Sequence, residues 1–138
     1  MRAMRLSWRR NLTRTALLQA IVRQATEILD TVEGRDKQVE LIKVLQAVTE
    51  GKLVVEIDRA RLTRRLAAIH ESDGRVGDAA DAMQEVAVET FGAMHRSEKV
   101  AYVLEQMRLC MDAKDFTRAQ ILSRKVRASC AHAAVLVW

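Results

Sequence analysis

His70, Ser72 and Asp73 are the residue types from which an acyl-transfer triad is built, and they stand almost side by side. A triad must converge in space beside an oxyanion site, which three neighbours at one helix end cannot do. Metal chemistry finds no better support. His70, His95 and His132 share no i, i+4 spacing with each other or with Cys110 and Cys130, and neither cysteine lies in a C-x-x-C pattern, so no zinc-ligand geometry is suggested. Both cysteines fall in apolar helical sequence, which favours free thiols, buried or half-buried, in a reducing compartment over a disulfide or a reactive thiol. Gly74-Arg75-Val76-Gly77 is too short for a phosphate loop and follows a helical pattern rather than a strand. Asp78 and Asp81, one turn apart, read as a solvated helix face. No catalytic, cofactor-binding or metal-ligating residue is therefore assigned, and no enzyme activity is expected.

Charge offers a binding chemistry instead. Arg59, Arg61, Arg64 and Arg65 form the densest cluster, with the last three on one helical face. Clustered arginines neutralise phosphates, so one reading is a basic nucleic-acid adaptor. Against it, Glu56 and Asp58 precede Arg59 and Arg61 by three residues, at ion-pair spacing, and no aromatic is interleaved to stack bases. A solvated or partner-facing ridge is the favoured reading, with no nucleic-acid partner. The formal net charge of +5 arises elsewhere: no acidic residue precedes Glu27, while Arg2, Arg5, Arg9, Arg10, Arg14 and Arg23 do. Such a start, with Trp8 and Leu12, could serve as a mitochondrial presequence or membrane-surface helix. An irregular flank or a wrongly assigned start is favoured. No apolar run approaches the roughly 18 residues that cross a bilayer. A soluble chain without a membrane partner is expected.

The elements that would position these residues are helices. The chain is 138 residues long, about one domain, with 49% hydrophobic residues, five glycines and no proline. Long runs of Ala, Leu, Arg, Glu, Gln and Met give an all-α reading. With two Trp, one Tyr and two Phe, packing must rest on aliphatic and Met side chains.

A pattern returns at a spacing of 40 residues. Gly34-Arg35 recurs as Gly74-Arg75. Leu29, Ile69 and Leu109 precede the turn, Val39, Ala79 and Ala119 follow it, and Val22, Leu62, Tyr102 and Ile42, Ala82, Leu122 fall in step. A unit of this length is a helix, a turn and a second helix, which buries its apolar face only by stacking on neighbours. The predicted fold is an α-solenoid of about three antiparallel helix pairs.

The first helix is placed from Thr13 or Thr15, with Leu17, Leu18, Ile21, Val22, Ala25, Ile28, Leu29 and Val32 as its stripe, and is ended by Gly34. Asp36 is a plausible N-cap of a second helix that presents Val39, Ile42, Leu45 and Val48 and stops at Gly51. A third spans about residues 54–72, with Val55, Leu62, Leu66 and Ile69 inward, and a fourth about 76–91, with Ala79, Ala80, Met83 and Ala87. The fifth, about 97–112, presents Val100, Val103, Leu104, Met107 and Met111; Asp115 caps a sixth carrying Phe116, Ala119, Leu122 and Val126. The resulting division is a basic flank (1–14), a solenoid arm (15–128) and an apolar, aperiodic tail (129–138), which looks cut short.

Longer strings carry a resemblance. Thr49-Glu50-Gly51-Lys52, Val55-Glu56-Ile57-Asp58-Arg59-Ala60-Arg61-Leu62-Thr63, Val88-Glu89-Thr90-Phe91-Gly92-Ala93-Met94, and Leu104-Glu105-Gln106-Met107-Arg108-Leu109-Cys110 followed by Lys114-Asp115-Phe116 resemble the non-ATPase lid-subunit family of the 26S proteasome regulatory particle that is numbered five in yeast and twelve in mammals. The resemblance runs from about Leu17 to Val126 and is weaker before Val48. It implies a curved arm of helix pairs, continued in full-length members by a PCI module, which this sequence does not reach. It further implies a non-catalytic scaffold supporting assembly and ubiquitin-dependent proteolysis, in cytoplasm and nucleus. The implied partners are other lid subunits and, where the arm reaches them, ATPase-ring and core-particle surfaces. The alternative within the family is the related COP9 signalosome subunit.

Overall fold

The computed structural model describes the backbone of residues 2–134 and the side chains of residues 14–127. Six α-helices occur among the described residues: α1 (Arg2–Leu29), α2 (Arg35–Thr49), α3 (Glu56–Ser72), α4 (Val76–Gln84), α5 (Arg96–Asp112) and α6 (Phe116–Ala134). Short 3-10 turns fill Leu53–Val55 and Val88–Thr90. The chain divides into two compact units, Met1–Leu62 and Thr63–Trp138, with the boundary inside α3. The all-α helical-repeat reading holds.

In the first unit α1 packs on α2 and on the 53–55 turn. Helical backbone starts at Arg2, ahead of the start expected at Thr13 or Thr15, because the residues before it include no helix breaker. Val22, Leu29, Ile42, Leu45 and Val55 form its core. Leu17, Ile21 and Ile28 belong to the predicted buried stripe yet stand exposed, as does Val48 on α2. The apolar arc of α1 is wider than α2 and the 53–55 turn together cover. α1 also stops at Leu29, well before Gly34. The half-buried Gln38 side chain donates to the Leu29 carbonyl at 3.3 Å and the Val32 carbonyl at 2.9 Å, satisfying groups that a helix end leaves open. Gly34 itself (φ 104) is the N-cap position of α2; Asp36, expected to cap, lies inside the first turn.

In the second unit α6 folds back along α5, and α5 packs on α4 and on the 88–90 turn. Its core comprises Leu66, Ala67, Ala79, Ala80, Met83, Val86, Val88, Met94, Tyr102, Val103, Leu109, Cys110, Ala119 and Leu122. Leu104, Met111 and Phe116, expected inward, are exposed. α4 ends at Gln84 rather than near Phe91, and Ala87 is exposed beyond it. The polypeptide from 85 to 95 turns away because its apolar residues, Val86, Val88 and Met94, are spaced for a compact loop that buries all three.

The 40-residue register largely survives in three dimensions. Val22, Leu62 and Tyr102 are all buried, as are Leu29 and Leu109, Ala79 and Ala119, and Ile42 and Leu122, while the remaining members of those sets, Ile69, Val39 and Ala82, are half-buried. The α3–α4 and α5–α6 turns match bond for bond. Arg75 N–H donates to the His70 carbonyl and Asp115 N–H to the Cys110 carbonyl, both at 2.8 Å, while Gly74 N–H reaches Glu71 at 2.9 Å and Lys114 N–H reaches Met111 at 3.0 Å. This is the Schellman closure, which needs a left-handed residue after the helix. Gly74 supplies it at φ 78, and Lys114 takes the same conformation at φ 62.

Candidate interaction surface

The residues that could have done chemistry are occupied locally. The Ser72 hydroxyl donates to the Ile69 carbonyl of its own helix at 2.8 Å, Asp73 pairs with Arg75 at 3.1 Å, and His70 is buried, so the three do not converge. His95 caps α5: its Nδ1 accepts the Ser97 amide at 3.3 Å and the Ser97 hydroxyl at 2.6 Å. The side chains of His132 and Cys130 lie outside the described residues. Cys110 is a buried free thiol. Burial pushes it above the usual thiol range, and Gln84 Nε2 donates to its sulfur at 3.3 Å, the environment of an inert thiol. The amides of Gly74 and Arg75 are consumed by the end of α3, leaving none of that pair to cradle a phosphate. Among the described residues no three His, Cys, Asp or Glu side chains gather as a metal site, and no helix is long and apolar enough to cross a membrane.

Charged side chains instead join one helix hairpin to the next. Arg108 on α5 forks onto Glu71 of α3, with contacts of 2.7 and 2.8 Å, and holds Glu105 at 2.7 Å and Asp112 at 2.9 Å on its own helix. One layer over, Arg118 on α6 reaches Asp81 of α4 at 2.6 Å and Asp115 at 3.0 Å. Asp81 is therefore a bridge residue rather than part of a merely solvated face. Lys125 reaches Glu89 at 2.6 Å. The Arg108 hydrogen bonds hold Glu71 and Glu105 below the usual carboxylate range, and those carboxylates hold the guanidinium protonated more firmly in return. Burial is the strongest single influence on Glu89 and opposes its ionisation, but the hydrogen bond from Lys125, a backbone hydrogen bond and the Lys125 charge together outweigh it, and its carboxyl is also lowered. Asp81 raises Arg118 in the same way.

Both main bridges join residues 37 positions apart, the repeat length less about one helical turn. Sequence reasoning missed them, because neither arginine is unusual in its own helix; adding 37 positions, the repeat less a turn, to each acid would have found them. Gln106 was missed as well. It is buried, and its Nε2 donates to the Met83 carbonyl at 2.6 Å and to Val86 at 3.5 Å, tying the end of α4 and the loop beyond to α5. The available signal was an amide inside the inward stripe that holds Tyr102, Val103 and Leu109.

The outward surface is mixed. Arg61, Arg64 and Arg65 are exposed along α3 and Arg59 is half-buried. Leu104, Met111, Phe116 and Ile121 are exposed on the last hairpin. Hairpins with buried aliphatic registers, ionic bridges at a constant offset and apolar residues left outward define a helical-repeat protein. The sequence model of the family described as PSMD12/CSN4, N-terminal, matches residues 4–134, and the chain belongs to that family. It is 56% identical over 109 residues to a protein of Arabidopsis thaliana named 26S proteasome non-ATPase regulatory subunit 12 homolog A, covering 79% of this chain and 25% of the relative. It is 41% identical over 121 residues to the Dictyostelium discoideum 26S proteasome non-ATPase regulatory subunit 12 (88% and 27% covered). To the Saccharomyces cerevisiae 26S proteasome regulatory subunit RPN5 it is 37% identical over 111 residues (79% and 25% covered). The chain thus spans about a quarter of the length of these curated relatives.

Proposed function

We propose that this chain acts as a non-catalytic scaffold in the lid of the 26S proteasome regulatory particle, supporting its assembly and hence ubiquitin-dependent degradation. The observation that carries this is the family match over residues 4–134, with relatives named 26S proteasome non-ATPase regulatory subunit 12 or a homolog of it. The site geometry agrees with such a role: ionisable groups are spent on bridges between hairpins, and the exposed features are arginines and apolar side chains suited to protein contact. The partners in this reading are other lid subunits, with ATPase-ring and core-particle surfaces as further contacts, in cytoplasm and nucleus. Nucleic acid and membrane are not among them.

A second reading has one specific support, since the family's own description joins PSMD12 to CSN4: the chain would instead serve a COP9 signalosome scaffold. Affinity capture of the tagged chain from eukaryotic cells, read by mass spectrometry, separates the two. Lid subunits co-purifying in stoichiometric amounts are expected; signalosome subunits alone would transfer the assignment, and neither set would overturn both. Duplex binding at physiological salt that is lost in the Arg61→Glu, Arg65→Glu double variant would instead favour the basic adaptor.

A further inference from the structure

We propose that a second copy of this chain pairs with the first through α1, the two α1 helices lying antiparallel across a twofold axis between Ile21 and Gln24. Leu17, Ile21 and Ile28 are 61%, 51% and 54% exposed, and with the exposed Gln24 they recur at spacings of four, three and four residues. That alternation is the seam by which one helix pairs with another. At about 100° of turn per residue the four form one stripe along α1. No charged side chain falls within it: Arg23 lies on the far side of the helix and Glu27 at the rim. The pairing uses α1 alone and does not depend on the proteasome reading.

The stripe is its own complement. Turned end for end about that axis, Leu17 of one copy meets Ile28 of the other and Ile21 meets Gln24, so both outer contacts are aliphatic and the two Gln24 amides flank the axis, each offering a donor and an acceptor to the other. Charge sets the direction. Arg14 stands at the N-terminal end of the stripe, with Glu27 and Glu33 at its C-terminal end; all three are exposed, and none has an ion-pair partner among the described residues. An antiparallel second copy brings its acidic end to Arg14 and its Arg14 to the acidic end, so the complementary charges meet twice. A parallel copy would set like charges together at both ends. The same patch serves both copies, so the contact is isologous and closes at two. Its stripe runs only about 17 Å along the helix, which puts the contact at the small end of specific interfaces and makes the dimer weak.

Sedimentation velocity of the 138-residue chain from about 10 µM to 1 mM tests this, the range in which a contact of this size associates. The wild type should pass from monomer to dimer and no further. Ile21→Glu puts two carboxylates beside the axis and should weaken dimerisation at least about tenfold, with helicity by circular dichroism unchanged because the site is exposed. Arg14→Glu should weaken it about two- to fivefold, and adding Glu27→Lys and Glu33→Lys in the same chain should restore it. Direction is read with a short bismaleimide in a Cys130→Ser background, where the remaining thiol, Cys110, is buried. Residues 24 of the two copies stand about 5 Å apart along the helix direction and residues 17 about 17 Å apart. Gln24→Cys should therefore link to itself, Leu17→Cys should not, and Leu17→Cys mixed with Ile28→Cys should link. A wild type that stays monomeric across the range, an Ile21→Glu chain that dimerises like wild type, a charge-swapped chain no better than Arg14→Glu, or a Leu17→Cys chain that links to itself would each overturn the proposal.

Discussion

At the end of α1 turn amides take the Glu27 and Ile28 carbonyls but the Leu29 carbonyl is met by a side chain from the next helix, Gln38, whereas the ends of α3 and α5 close with a Schellman pair of backbone amides. The same contrast extends to how hairpins are joined. In the second unit Glu71 and Asp81 are met by arginines one hairpin on. The positions one repeat earlier hold Thr31 and Leu41, which cannot ionise. A repeat therefore constrains the buried registers more closely than the means of closing and bridging. Burial depends on periodic position, while an orphan carbonyl is equally satisfied by an amide side chain or a backbone N–H.

If the buried register is common to both units, its loss should be the costliest change anywhere. Leu109→Ala and Leu122→Ala in the second unit and Ile42→Ala in the first should each lose about 2–5 kcal/mol in chemical denaturation, a transfer loss plus an unfilled cavity. A loss below about 0.5 kcal/mol, as at a surface site, would break the repeat alignment for that unit.

The side-chain tethers should rank next. Gln106→Leu leaves the Met83 and Val86 carbonyls facing a buried apolar group, and a loss of about 1–3 kcal/mol is expected. Gln38→Ala should cost less, about 1 kcal/mol, since its site is only half-buried and water can replace the amide. Equal losses from the two would show that the first unit's turn is as dry as the second's core.

The ionic bridges are smaller still and distinguish the units by pH. Glu71, Glu105 and Glu89 have folded carboxyls below their ordinary value of 4.5, so the stability they contribute is complete above that pH and is lost as pH falls through the lower folded values. Amide hydrogen exchange, read helix by helix, should show α5 and α6 losing protection below 4.5 faster than α2. Arg108→Met should remove most of that acid dependence for Glu71 and Glu105 and cost about 1 kcal/mol at neutral pH, a value kept small because both partners stand partly in water. An unchanged acid slope would mean that the fork carries no net stability.

The turns should give the smallest effects, of opposite sign. Gly74→Ala forces a side chain into the left-handed region and should lose about 1 kcal/mol, while Lys114→Gly relieves the same strain and should gain up to about 1 kcal/mol, offset in part by a more flexible unfolded chain. Thermal or urea unfolding of both, compared with wild type, would expose any departure from equivalence between the two turns.

The 40-residue return, the absence of proline and the apolar periodicity determined by themselves that the chain is all helix, where α3 and α5 run, and which of Val22, Leu62, Tyr102, Leu109 and Leu122 lie inside, because burial in a helix pair follows from periodic position alone. Family membership was legible too, in strings such as Leu104–Cys110. Local sequence did not decide how wide a buried arc each helix receives, so periodicity puts Leu17, Ile21, Ile28, Leu104 and Met111 inside although no described neighbour covers them. Nor did it decide where α4 stops, since Val86 and Val88 satisfy a helical stripe and a buried loop equally well until Gln106 of α5 supplies a donor to the carbonyls there. The pairing of Glu71 with Arg108 and of Asp81 with Arg118 belongs to the tertiary structure alone: each side chain is ordinary in its own helix, and only the offset at which hairpins pack brings the opposite charges within reach.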